Sequence, residues 1–114
     1  MDKHYKNIYF MGIGGIGMSA LARYFLHEGR QVAGYDRTET TLTRALQTEG
    51  AEVTYEDAVE HIPQPFRDPE HTMVVYTPAV PSDHPQMQFF REGGFLVEKR
   101  SQMLGHLSEG KYVM

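Results

Sequence analysis

Apolar and polar positions in this chain alternate between two periods, and the alternation predicts its elements in order. Asn7 to Gly12, NIYFMG, is short, apolar and β-rich, which predicts a buried strand. After a glycine-rich loop, Met18, Leu21, Ala22, Phe25 and Leu26 recur on one helical face, and Gly29 stops that helix. Gln31 to Asp36 predicts a second strand. Thr40 to Gly50 predicts a second helix with Leu42, Ala45 and Leu46 inward and Gly50 at its end. Ala51 to Tyr55 predicts a third strand, and Glu56 to Ile62 a short helix before Pro63. Pro63 to His71 is proline-rich and charged, which predicts a surface loop.

Thr72 to Val80 opens as the most strand-like run and ends in a proline-bounded turn. His84 to Gly94 predicts a helix with proline in its first turn and glycines at its end. Phe95 to Glu98 predicts a fifth strand, Ser101 to Gly110 a last helix weakened by Gly105, and Lys111 to Met114 the start of another strand-like run. Strands alternating with helices imply an α/β fold. The expectation is a three-layer, Rossmann-like parallel sheet of about five strands with helices on both faces. Ligands of such sheets bind at the carboxyl ends of the strands, beside the first strand.

The loop between the first strand and first helix carries the candidate chemistry. Gly12, Gly14 and Gly17 match G-x-G-x-x-G, with Gly15 as an extra glycine, and the motif has a strand before it and a helix after it. One glycine makes the tight turn, another lets the backbone approach a phosphate, and the third lets helix and strand pack closely. The helix N-terminus then offers free N–H groups and partial positive charge to an anion. Ser19, in the first turn, adds a possible hydroxyl donor. The competing reading is a tight βα turn with no ligand. Asp36 ends the second strand about twenty residues beyond Gly17, where such folds place the acid that accepts ribose hydroxyls. A solvated turn aspartate, or an N-cap shared with Thr38, competes equally. Arg37 reads more readily as an ordinary exposed arginine than as a phosphate ligand. Thr77, with Pro78 and Pro81 around it, stands at the ligand-facing end of the fourth strand, either as a hydrogen-bonding group or as part of a rigid turn. These residues indicate a nucleotide with a diphosphate and leave NAD, FAD and a nucleotide sugar open.

Composition narrows the picture by exclusion. A chain of 114 residues is one domain with room for one core. A net charge of −4 without a basic stripe argues against a nucleic-acid partner. The absence of cysteine excludes disulfides and thiolate metal sites, and fits a cytoplasmic setting. The six histidines show no metal-ligand spacing, so no metal site is assigned. The N-terminus lacks the apolar core of a signal peptide, and no run is long enough for membrane insertion. The seven methionines fall mostly on core faces. No nucleophile–base pair follows from spacing, so no catalytic residue is assigned.

Taken together, MGIGGIGMSALA, GYD, VVYTPAVP and VEKRSQMLGHL resemble, in order, the N-terminal domain of the Mur ligases, over Ile8 to Leu107. The resemblance implies that Gly14, Gly15, Ile16, Gly17 and Met18 wrap a UDP pyrophosphate with Ser19 beside them, and that Asp36 meets the uridine. It also implies that Thr77, Pro78, Ala79 and Val80 line the uracil pocket. The turn is Thr-Pro-Ala-Val here, where relatives carry a Ser-Ser-Ala-Ile type, which leaves out the serine hydroxyls. Glu56 and Asp57 stand where many relatives have Gly-His, and take no role. The resemblance implies residues 1–110 as the UDP-binding domain and 111–114 as the start of a connection to an ATP-binding domain. The implied substrate is UDP-N-acetylmuramate, joined to L-alanine in the cytoplasm with ATP and Mg2+ used by domains beyond this chain, which is expected to be inactive alone. A family member that recycles a murein tripeptide, and an NAD(P)-binding oxidoreductase domain, are the competing expectations.

Overall fold

The computed structural model describes residues 5–100, so the helix expected over 101–110 and the strand-like run 111–114 lie outside the described residues. The described chain forms one five-stranded, all-parallel sheet. In chain order the strands are β1 (Asn7–Met11), β2 (Gln31–Tyr35), β3 (Glu52–Thr54), β4 (Thr72–Tyr76) and β5 (Leu96–Lys99). Their order across the sheet is β3-β2-β1-β4-β5. β1 is therefore central, pairing with β2 from Asn7 opposite Gln31 to Met11 opposite Tyr35, and with β4 from Asn7 opposite Thr72 to Met11 opposite Tyr76.

The sheet buries both faces, which is why β1 and β4 read as continuous apolar runs. Ile8 and Phe10 point to one face with Met73 and Val75, under Leu21, Ala22 and Phe25 of α1 (Ile16–His27) and Leu46 of α2 (Thr41–Glu49). Tyr9, Met11 and Val74 point to the other, under Met87 and Phe90 of α3 (Pro85–Glu92). Every methionine among the described residues, Met11, Met18, Met73 and Met87, is buried.

α2 keeps the expected bounds through its caps. The Thr40 hydroxyl accepts from Thr43 N–H, Thr43 Oγ1 accepts from Thr40 N–H, and Gly50 closes the helix with φ +117°. Its inward face is turned from the expected one. Thr43 and Leu46 are buried, while Leu42 and Ala45 are only half-buried, because the Thr43 hydroxyl is needed inside the cap.

Two differences from expectation lie in the β3–β4 crossover. Glu56 to Ile62 yields a single 3-10 turn, Val59–His61, and Pro63 to His71 contains a second, Gln64–Arg67. Pro63 and Pro65 lack the N–H groups an α-helix would use. The segment is also not a plain surface loop. Ile62 and Phe66 are 1% exposed and fill the second face of the sheet, with the Phe66 ring 6.0 Å edge-on from Tyr9. Fully burying each such side chain contributes roughly 1.5–3 kcal/mol. A buried polar strut joins these layers: Tyr9 donates to Gln86 Oε1 at 2.8 Å, and Gln86 Nε2 donates to the Ala58 carbonyl at 2.9 Å. Burial raises the Tyr9 pKa far above its ordinary value, so the phenol stays a donor.

No helix among the described residues is long and apolar enough to cross a membrane.

Candidate functional site

The carboxyl ends of the parallel strands converge on a cavity of about 470 Å³, within the range of small-ligand pockets. Its walls are the glycine loop, the end of β2 at Tyr35 to Arg37, the turn after β4, and Arg100 after β5. Backbone geometry builds the loop first. Gly12, with φ +94°, doubles the chain back so that Gly12 N–H and Ile13 N–H both donate to the Tyr35 carbonyl, at 2.8 and 3.0 Å. A Cβ on Gly12 would lie 2.6 Å from the Thr77 methyl, so the loop and the β4 turn touch because Gly12 has none.

Gly15 then caps α1 without a side chain. Ser19 N–H is bonded to the Gly15 carbonyl at 2.7 Å, whereas the N–H groups of Ile16, Gly17 and Met18 precede the first intrahelical bond. All three residues line the cavity, and the first turn contains no acid. The loop thus presents consecutive donors and the positive end of a helix dipole to the cavity.

Of the expected site residues, Gly15, Ile16, Gly17, Met18, Asp36, Thr77, Ala79 and Val80 come together around the cavity. Gly14, Ser19 and Pro78 are not among its lining residues. Gly14 points away from it. A Cβ there would stand 2.8 Å from both Asp36 Oδ2 and the Thr43 methyl. Ser19 is buried and its hydroxyl donates to the Ile16 carbonyl at 2.9 Å. Pro78 is exposed on the turn that Val80 N–H closes onto the Thr77 carbonyl at 3.0 Å.

Asp36 is the residue whose surroundings differ most from the expectation. One carboxylate oxygen accepts from Gly14 N–H at 2.8 Å and the other from Thr38 N–H at 3.1 Å. The acid clamps the glycine loop to the end of β2 and also lines the cavity, and a carboxylate that accepts two hydrogen bonds can accept more.

Four cavity residues had no assigned role in the sequence: Tyr35, Pro81, His84 and Arg100. His84 caps α3, its Nδ1 accepting from Gln86 N–H at 3.2 Å, and its ring lies 4.5 Å from that of Tyr35. Burial lowers the His84 pKa, against the attraction of Asp57 and Asp83. The same desolvation, with Asp57 next, raises that of Tyr35. The ring is neutral near pH 7, with its proton on Nε2 because Nδ1 accepts. The signal available beforehand was position: Tyr35 and Arg100 sit at strand carboxyl ends, and His84 sits just before a proline at a helix start.

Comparison with known proteins bears on the family and the fold. Residues 7–112 match the family model described as Mur ligase family, catalytic domain. The chain is 57% identical over 103 residues to a UDP-N-acetylmuramate–L-alanine ligase of Phocaeicola vulgatus, covering 90% of this chain and 22% of the relative. It is 53% identical over 112 residues to the ligase of that name from Christiangramia forsetii, covering 97% and 25%. Among solved structures, UDP-N-acetylmuramate-alanine ligase from Thermotoga maritima superposes with a TM-score of 0.81 at 30% identity, covering 91% of this chain and 23% of that one. A ligase for UDP-N-acetylmuramate and L-alanyl-gamma-D-glutamyl-meso-diaminopimelate, from Neisseria meningitides, shares the fold, with a TM-score of 0.75 at 20% identity. The chain therefore spans about a quarter of the length of the curated relatives it matches.

Proposed function

The chain belongs to the Mur ligase family, and from that premise we propose that it anchors the UDP end of UDP-N-acetylmuramate for joining to L-alanine. The observation that carries the reading is the cavity itself. It sets the unpaired N–H groups of the first α1 turn at one end and the Thr77 to Val80 turn, with Asp36 and Tyr35, at the other. The diphosphate would sit on Ile16, Gly17 and Met18. The uracil would sit between Asp36 and the turn, where acceptors and backbone amides meet its imide N–H and carbonyls.

In this reading residues 1–110 are the UDP-binding domain and 111–114 lead toward the ATP-binding part of a longer cytoplasmic enzyme. That part would phosphorylate the substrate carboxylate with Mg-ATP and deliver L-alanine to the acyl phosphate. Among the described residues there is no group of three or more His, Asp or Glu side chains that could hold a metal ion. This chain contributes binding energy remote from the reacting carboxylate, which fixes the carboxylate's position.

A heteronuclear NMR titration of the 114-residue chain with UDP-N-acetylmuramate, UDP, ATP and NAD tests the proposal. The amides of Gly12 to Met18 and of Thr77, Ala79 and Val80 should shift with the first two at concentrations where ATP and NAD have little effect. An adenine presents the wrong donors to the far end of the pocket and would leave buried polar groups unpaired, at about 1–3 kcal/mol each. Shifts with NAD and none with UDP would overturn the reading.

A further inference from the structure

We infer that Arg100 is a diphosphate-binding residue of this cavity, and that position 17 is glycine because the Arg100 guanidinium lies across it. The inference rests on the nucleoside-diphosphate reading above and adds to it a residue from the far edge of the sheet.

Three atoms of the guanidinium define the placement. A Cβ on Gly17 would lie 2.7 Å from Arg100 Nη1, 2.8 Å from Cζ and 3.1 Å from Nε. The group is therefore laid side-on against the first turn of α1, and any side chain at position 17 would displace it. Conformation does not demand a glycine there, because Gly17 is not among the residues with positive φ. Close packing of helix on strand does not demand it either. The three atoms nearest a Cβ at position 17 all belong to Arg100, whereas the close approach at Gly34 on β2 is to the Phe10 carbonyl oxygen of β1, 2.6 Å away, and to Ile13 Cβ in the loop, 2.8 Å away.

The electrostatics are the wrong way round for a site without an anion. A helix N-terminus carries about half a positive charge and is stabilised by acids, not cations. Here a guanidinium rests against that terminus, Arg37 lines the same cavity, and the first turn has no acidic residue. Neither arginine makes a hydrogen bond or ion pair with the described residues. Asp36, the acid in the cavity wall, already accepts from Gly14 and Thr38. His84 adds a neutral ring whose Nε2 is buried without a partner in the same wall. The charged side chains of the cavity wall are two arginines and one aspartate, in a chain whose net charge is −4. A diphosphate between the helix terminus and Arg100 resolves the conflict. The planar guanidinium fork matches phosphate oxygens, and the backbone N–H groups take the rest. The strand order makes this possible: β5 adjoins β4, so the residue after β5 reaches the loop after β1 across the end of β4.

The test is a mutant cycle read by NMR titration and calorimetry with UDP, ADP, inorganic diphosphate and uridine. Arg100→Gln should weaken UDP and inorganic diphosphate about tenfold to a hundredfold and leave uridine unchanged, with Arg100→Lys recovering part of the loss. Gly17→Ala, which favours the helix, should weaken UDP by displacing the guanidinium. In the Arg100→Gln background it should then have no further effect. Melting curves establish that each variant is folded. Additive losses in the double variant mean that a side chain at position 17 acts on the ligand independently of Arg100, and overturn the coupling. Unchanged UDP affinity in a folded Arg100→Gln overturns the inference while the nucleotide reading stands. Arg100-dependent binding of ADP and inorganic diphosphate without preference for UDP overturns the uridine reading and leaves Arg100 in its role. A wild-type chain that binds none of the phosphate probes overturns both.

Discussion

Asp36 holds the loop before it can hold a ligand. Its two oxygens accept from Gly14 and Thr38, so Asp36→Ala removes the clamp between β2 and the glycine loop. Hydrogen bonds to a charged group contribute about 1.5–3 kcal/mol when buried, and less for this half-buried one, so a loss of about 1–2 kcal/mol of stability is expected. Urea unfolding of the variant reads it directly, and UDP affinity should fall in parallel. An Asp36 that served the ligand alone would leave the unfolding midpoint in place. The same contact explains Gly14. Its missing Cβ makes room for Asp36 Oδ2 and the Thr43 methyl, not for a phosphate, so a side chain there would act on the ligand only through the loop.

At the scale of elements, α3 begins on a histidine that has to stay neutral. His84 accepts from Gln86 N–H through Nδ1 and packs its ring, tilted by 60°, against Tyr35, and burial lowers its pKa below the ordinary value of about 6.5. The unfolded chain therefore binds more protons in the window between the folded and unfolded values. Stability rises with pH through that window and is lost as pH falls below about 6.5. Asp57 and Asp83 attract the proton and narrow the window. His84→Asn keeps a capping acceptor without the titration. Its melting temperature should fall less steeply than that of the wild type between pH 7 and 5, and equal slopes would remove His84 from the account.

The elements themselves were legible where period decided them. β1, α1 and β4 follow from continuous apolar runs and a helical face, and the caps Thr40 and Gly50 follow from their residue types. The crossover after β3 was less legible. Proline and charge marked Pro63 to His71 as a loop, and nothing local shows that Phe66 turns inward to meet Tyr9. In the site, the glycine loop and the Thr77 turn were readable as a motif and a strand end. The Gly17–Arg100 contact joins residues at opposite ends of the described chain, and the burial of Tyr35 against His84 depends on how two strand ends pack. Neither has a local signature.

For the whole molecule, the cavity exists only when the sheet is assembled. Its walls come from the loop after β1, the ends of β2 and β4, and the residue after β5, which together run from Gly12 to Arg100. The register that brings them level is set by pairing along β1. A ligand that binds this arrangement therefore binds the folded chain and not the unfolded one. At a free concentration a hundredfold above its dissociation constant, such a ligand stabilises the fold by about 2.7 kcal/mol. For a chain of 114 residues each kcal/mol moves the melting temperature by about 4 °C, so UDP-N-acetylmuramate at that excess near the transition should raise it by about 11 °C. The transition should stay single, because no wall of the cavity belongs to a part that melts separately. Calorimetric scans over a ligand series read both features. A melting temperature that stays fixed while NMR shows saturation would mean that the ligand sits on a surface retained in the unfolded chain, and not in the cavity at the strand ends.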